Sequence, residues 1–533
     1  MALRKLLFKS GVNRENTRYT NEGGWYVSDK VRFRQGTPEK IGGWVRYSAN
    51  QFNGVCRNLW NWVTNGNSNL LGVGTNTKYY IEDVGAYNDI TPVGLPAGAA
   101  ITTSGTGWGT STWSTGTWGF SSGSSTINLR LWSSSNWGED LVINPRGGAV
   151  YYWDATSGLS SPAVNITSLA GSSNAPTLAN YIFVSDISRF LFAFGCDDSA
   201  GGIGYLDPML VRWADQESLT MWLPAITNQS GSLRLSHGSE IVTSVQTRQE
   251  IFTLTDSAAY SIQFVGAPYV WGAQLLGDNI SIMSPNAAAF ASGVVYWMGV
   301  DKFYVYDGRV QTLPCDLRRY VFSDINLIQS LQVFAGTSEG FNEVWWFYCS
   351  ADSTTVDRYV VYNYLERVWY YGTMARTAWS DSGLRDYPQS ADYNGRILNQ
   401  EYGVDDVSTG TAVAIDAYIE SAEFDLDDGD HFMYVYRTVP DLTFTGSIDD
   451  SAPEVTFSIY PKRSSGSPAG TPAADTVSAA DYPVDEFTSQ IYTRFRARQA
   501  YLKVRSNKVG TTWQLGAPRI DMKPDGRATG GGA

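Results

Sequence analysis

Between residues 292 and 379 hairpin follows hairpin, with no helical period between them, and this run constrains the fold more than any other stretch. In SGVVYWMGVDKFYVYDGRVQTLP, β-branched and aromatic residues alternate with polar ones on both sides of a turn at 299–301, as a half-buried antiparallel hairpin requires. The second half, EVWWFYCSADSTTVDRYVVYNYLERVWYYG, reads as three strands starting at Glu343, Asp357 and Arg367, with turns at 351–355 and 365–366. The same unit, an apolar strand, a short polar turn and an aromatic strand, recurs at 70–83, 140–154, 181–194, 250–264 and 294–307. The spacing is roughly 40–70 residues, against the roughly 40–50 of a propeller blade. The expected fold is therefore all-β: a β-propeller of about six or seven irregular blades, followed by a C-terminal β-sandwich-like domain. The plainer alternative is a set of unrelated sandwich hairpins.

At 533 residues the chain is long enough for two or three domains. Aromatics at 14%, 53 glycines and only 17% charged residues favour short strands and tight turns over amphipathic helices. Residues 1–50 form the most basic part and are expected as a basic arm with short strands, carrying Arg4, Lys5, Lys9, Arg14 and Arg18. Such an arm on an acidic chain either pairs with an acidic partner or is a solvated face. The propeller is placed at 51–405, interrupted at 101–126 by a Ser/Thr/Gly tract containing Trp108, Trp113 and Trp118. Exposed tryptophans are costly unless covered, so this tract reads as a loop docking on another subunit, with a free flexible loop as the alternative. Residues 406–527 alternate as strands of the second domain, and 528–533 read as a disordered tail.

The net charge of −13 and pI near 4.8 argue against a protein that grips nucleic acid by neutralising phosphates. They are compatible with one that lets DNA pass, since a like-charged wall avoids sticking points. Cys56, Cys196, Cys315 and Cys349 stand singly without metal-site spacing and read as buried free thiols. There is no stretch of roughly 18 apolar residues to span a membrane and no signal-peptide core, so synthesis in a cytoplasm is expected. Catalytic chemistry is hard to find. The only histidines, His237 and His431, have no nucleophile motif beside them, and neither a GxSxG elbow nor an HExxH helix is present. The cluster Asp425, Asp427, Asp428 and Asp430 resembles a calcium loop, but its glycine falls one position early and its flanks are strands. A hairpin turn presenting acidic side chains is the better reading. No enzyme, cofactor or metal is expected.

Several longer phrases then matter together. The run VVYWMGVDKFYVYDGRVQTLPCDLRRYVFSDIN, the run FNEVWWFYCSADSTTVDRYVVYNYLERVWYYGTMARTAW, the segment RILNQEYG and the terminal TTWQLGAPRIDMKPDGR resemble, in their order and spacing, the tail hub or nozzle proteins of short-tailed bacteriophages. These are also called tail tubular or DNA-stabilisation proteins. The likeness covers most of the chain from about residue 280 onward; WVRYSAN and RFRQG near the start agree more weakly. The resemblance implies a structural virion protein in the tail, made in the host cytoplasm. It further implies a homo-hexamer below the adaptor (head-tail connector) protein, meeting a tail fibre, spike or needle/plug protein. Genomic DNA would pass through its lumen without specific binding. On that reading Asp425, Asp427, Asp428 and Asp430 are candidate lumen residues. Arg4, Lys5, Lys9, Arg14, Arg18, Trp108, Trp113 and Trp118 are candidate adaptor or inter-subunit contacts. The alternative function is a phage glycan-binding or glycan-degrading propeller engaged in receptor binding.

Overall fold

In the computed structural model, residues 3–103, 127–172, 174–186, 188–198, 204–426, 429–448, 452–463 and 480–527 are described. Among the described residues, seven small sheets, antiparallel but for one parallel pair in the last, close into a β-propeller. The first six blades are contiguous four-stranded meanders: residues 56–89, 132–165, 179–234, 241–278, 288–313 and 334–373. The five recurrent hairpins of the sequence fall one in each of blades 1 to 5, and the strands read from 343 onward are three of the four in blade 6. The innermost strands, from Cys56–Val63 round to Ala378–Ser380, each lie beside the next, and the last lies beside the first, so the ring is closed.

Blade 7 is assembled from both sides of the ring. Ala378–Ser380, Gln389–Ala391 and Ile397–Gln400 supply three strands, and Trp44–Arg46, from ahead of blade 1, pairs antiparallel with the third. Asp406–Val407 then pairs in parallel with Trp44 and Val45. Closing the ring with a strand from the other end means that the two ends of the propeller cannot separate at blade 7 without breaking main-chain hydrogen bonds. The seam between blades 7 and 1 is further held by Arg385, whose Nη2 lies 2.6 Å from the fully buried Glu82 carboxylate.

Blade faces are joined by aromatic packing, which explains why 14% of the chain is aromatic. Trp379 at the start of blade 7 stacks on Trp345 of blade 6 (centroids 5.7 Å apart) and packs against Phe347 at 5.6 Å. Such pairs add about 0.5–1.5 kcal/mol each beyond their burial. Gly336 is needed at this contact, because a Cβ there would collide with the Trp379 ring.

The second domain is sandwich-like and all-β, with three sheets whose strands come from both ends of the chain. One joins Trp25–Asp29 to Ala417–Ser421, Gln499–Ser506, Glu454–Lys462 and Ala480–Asp485, with Phe424–Asp425 alongside. Another runs Leu3–Lys5, Arg519–Arg527, His431–Val439, Phe495–Ala497; the last runs Val31–Arg34, Thr37–Lys40, Gln514–Leu515, Leu442–Thr443. The N-terminal stretch 1–50, expected as a basic arm with short strands, is divided between this domain and blade 7. The cause is that 25–29, 31–34 and 37–40 form short, largely buried strands, and beyond the 31–34/37–40 hairpin their neighbours in the sheets come from the C-terminal part of the chain. The domain leans on the outer edge of blade 6, where Ser28 Oγ donates to the Tyr371 carbonyl at 2.8 Å and the Val12 amide to that of Trp369 at 2.7 Å. One continuous apolar core runs from blades 4 to 7 through this junction into the second domain.

Candidate functional site

The propeller axis holds a cavity of about 200 Å³ lined by all seven innermost strands. Its polar wall is made of Asn58, Ser133, Ser134, Thr243, Ser244 and Asn286, and its lining contains neither a carboxylate nor a histidine. Arg57 is the one charged residue there, and it is only 4% exposed. Its Nη2 donates to Gln332 Oε1 at 2.8 Å and to the Ala100 carbonyl at 3.0 Å. Those acceptors belong to the connections leaving blade 1 and entering blade 6, which meet each other: the Thr102 amide donates to Gln329 Oε1, and Gln329 Nε2 returns a bond to the Thr102 carbonyl at 2.7 Å. Arg57 thus ties the cavity wall to a buried amide network that bridges these two connections. Thr103 and Ile127 exchange both main-chain hydrogen bonds, so the 101–126 tract leaves and re-enters beside this bridge. Trp108, Trp113 and Trp118 lie outside the described residues.

The strongest electrostatic site joins the second domain to the propeller, and sequence reading missed it. Arg32, 2% exposed, places Nε 2.9 Å from Glu343 Oε1 of blade 6 and grips Glu401 bidentately at 2.5 and 2.9 Å. Tyr370 Oη and Trp345 Nε1 donate to the two Glu343 oxygens at 2.5 and 2.9 Å. The Phe341 ring covers the guanidinium at 3.6 Å. Burial pushes the Glu343 carboxyl up to about 6 against the opposing pull of Arg32. The available signal was an Arg between Val31 and Phe33 in the strand VRFR and an isolated Glu opening EVWWFY, but charge alone does not reveal which distant group pairs with which.

The remaining residues singled out in the sequence separate into distinct places. Arg14 and Arg18 are engaged within the chain. Arg14 Nη1 donates to Tyr371 Oη at 2.8 Å and its guanidinium lies over Tyr320 at 4.2 Å; Arg18 pairs with Glu420 at 2.9 Å over the Tyr501 ring at 3.6 Å. Neither is a free contact group, because aromatic faces and a carboxylate already satisfy their charge. Arg4, Lys5 and Lys9 are exposed, the first two on the edge strand Leu3–Lys5. Asp425 accepts a hydrogen bond from Tyr19 at 2.6 Å in the second domain, away from the propeller axis, and Asp430 lies 3.6 Å from His431. Gly429 takes φ +74° there, as a tight turn between strands requires, while Asp427 and Asp428 lie outside the described residues. Among the described residues, the partner of His237 Nδ1 is the neighbouring Ser236 hydroxyl, at 3.0 Å. The thiols of Cys56, Cys196 and Cys349 are buried, and Cys315 is half-buried. Among the described residues no group of three or more His, Cys, Asp or Glu is placed to hold a metal ion, and no helix is long and apolar enough to cross a membrane.

No family model matches the chain, and no curated protein matches it. Solved structures similar to it include the N-terminal domain of Nup159, at 10% identity over 70% of this chain and 99% of that one, with a TM-score of 0.36. The CNH domain of AfRom2 aligns at 7% identity over 67% and 98%, TM-score 0.36. Hsv2 of Kluyvelomyces marxianus aligns at 6% over 50% and 71%, TM-score 0.29. Superpositions this loose add nothing about function, and the propeller assignment rests on the seven sheets and their closure.

Proposed function

We propose that this chain is a structural component of a bacteriophage virion, a tail hub or nozzle that forms part of the DNA channel below the adaptor ring. The observation that carries the reading, beside the sequence resemblance, is the double use of the N-terminal stretch 1–50: it shuts the propeller and supplies strands to all three sheets of the second domain. A part that must hold packaged DNA and later conduct it gains from a build in which neither end of the chain can be pulled free of the fold. An acidic chain suits a wall past which DNA slides. Exposed Arg4 and Lys5 on an edge strand, with Lys9 just beyond it, offer a cationic contact for a neighbouring subunit or the adaptor.

The test is the mass of the purified protein, alone and mixed with adaptor complex, by light scattering with negative-stain imaging. A six-fold ring, formed alone or only on the adaptor, is expected. Reversing charge with Arg4→Glu, Lys5→Glu and Lys9→Glu together is expected to weaken that assembly while leaving the melting temperature unchanged. A stable monomer that ignores the adaptor would overturn the reading.

A further inference from the structure

Where the ring closes, blades 7 and 1 leave a surface groove of about 280 Å³. Two tyrosines, Tyr47 and Tyr387, give it aromatic walls; Tyr47 is 37% exposed. Three side-chain amides, Asn69, Gln389 and Asn399, also line it. Gln389 is 2% exposed and Asn399 half-buried; the Gln389 Nε2 donates to Asn399 Oδ1 at 2.9 Å. That bond leaves Gln389 Oε1 without a donor and Asn399 Nδ2 without an acceptor among the described residues. The Gln389 acceptor is sealed from solvent, while the Asn399 donor beside it on the neighbouring strand faces the groove's accessible side.

The charges decide what this groove favours. Arg385 is largely occupied: it pairs with Glu82 at 2.6 Å, reaches Asn69 Oδ1 at 3.3 Å and lies 5.0 Å over the Tyr47 ring, and its remaining Nη1 is buried. Its positive charge is cancelled, so an anionic ligand finds no counter-charge. Asp386 lines the same groove, is exposed and has no partner among the described residues, which leaves a carboxylate able to accept hydroxyl hydrogen bonds. A peptide adding as a strand is disfavoured too, since the floor strands are already paired on both sides: Asn399 opposes Gln389 on one flank and Val45 on the other.

We propose that the groove binds a neutral saccharide chain through one of its rings. The C–H face of the sugar packs on tyrosine, one hydroxyl accepts from Asn399 Nδ2, and Asp386 accepts from a further hydroxyl. The small volume takes one ring, at the lower end of ligand pockets, with the rest of the chain in solvent. The inference is independent of the assembly reading above.

The full-length chain is presented to a printed array of neutral, amino-sugar and acidic glycans, beside the variants Tyr387→Ala and Asp386→Asn. Binding to a set of neutral glycans, weakened about tenfold or more in each variant while the melting temperature holds, is the expected result. Saturation-transfer NMR with the best neutral glycan should place its ring protons against tyrosine. No binding by the wild type, binding confined to acidic glycans, or binding unchanged in both variants would overturn the proposal.

Discussion

Glu343 shows how a single residue can make the stability of this molecule depend on pH. Its ordinary value of 4.5 is raised to about 6, chiefly by burial. The folded state therefore holds its proton more tightly than the unfolded chain. The resulting stability is fully present below pH 4.5 and is lost as pH rises through 6, amounting to about 2 kcal/mol. Urea unfolding at pH 4.5, 5.5 and 7 should show this slope in the wild type and its loss in Glu343→Gln. Arg32→Ala is expected to cost about 3–5 kcal/mol, because it strands two carboxylates in a dry junction. The four cysteines make a second residue-scale test. Burial pushes the thiols of Cys56, Cys196 and Cys349 up to about 12, and that of Cys315 well above its usual value. Iodoacetamide at pH 8 should label none of them in the native chain and all four in denaturant, read by intact mass. The thiols could be read from the sequence because isolated cysteines without metal spacing have few other roles. The Arg32 junction could not, since Glu343 and Glu401 both lie far down the chain from Arg32, in a different part of the fold.

Among the elements, the strand Trp44–Arg46 has an effect out of proportion to its length. It sits between Ile397–Gln400 and Asp406–Val407, so its main chain is bonded on both sides. Val45→Pro removes a ladder donor in a central strand and should lower unfolding free energy by about 1–3 kcal/mol. The loss should begin at blade 7, seen as early hydrogen exchange in 389–400. Blades 1 to 6 announced themselves through aromatic hairpins because each is built from neighbouring stretches of chain. Their uneven spacing has two causes: the hairpin at 181–194 is the first pair of its blade while the others are second pairs, and connections such as 90–131 are long. Blade 7 gave no comparable signal. Its own strands are three or four residues long, too short for a period to emerge, and the strand that completes it lies far upstream.

For the whole molecule, the woven ends predict an asymmetry between the two domains. A chain lacking residues 1–40 keeps the strand that shuts the propeller but loses strands from every sheet of the second domain. Limited proteolysis of that truncation, followed by mass spectrometry, should leave a protected fragment near residues 41–407 and digest the remainder; equal protection of both parts would contradict the weaving. The amino-acid sequence by itself determined the local grammar: all-β, many hairpins, single thiols, an acidic surface, and a change of texture near residue 405. Alternation and turn chemistry act over a few residues and need no partner to be read. Tertiary structure alone decided the number of blades, the closure of the ring by an upstream strand, the division of the N-terminal stretch 1–50 between two bodies, and the pairing of Arg32 with Glu343 and Glu401. Each of these depends on which edges and charges are left unsatisfied once the local pieces have formed, and only the folded chain brings those distant groups together.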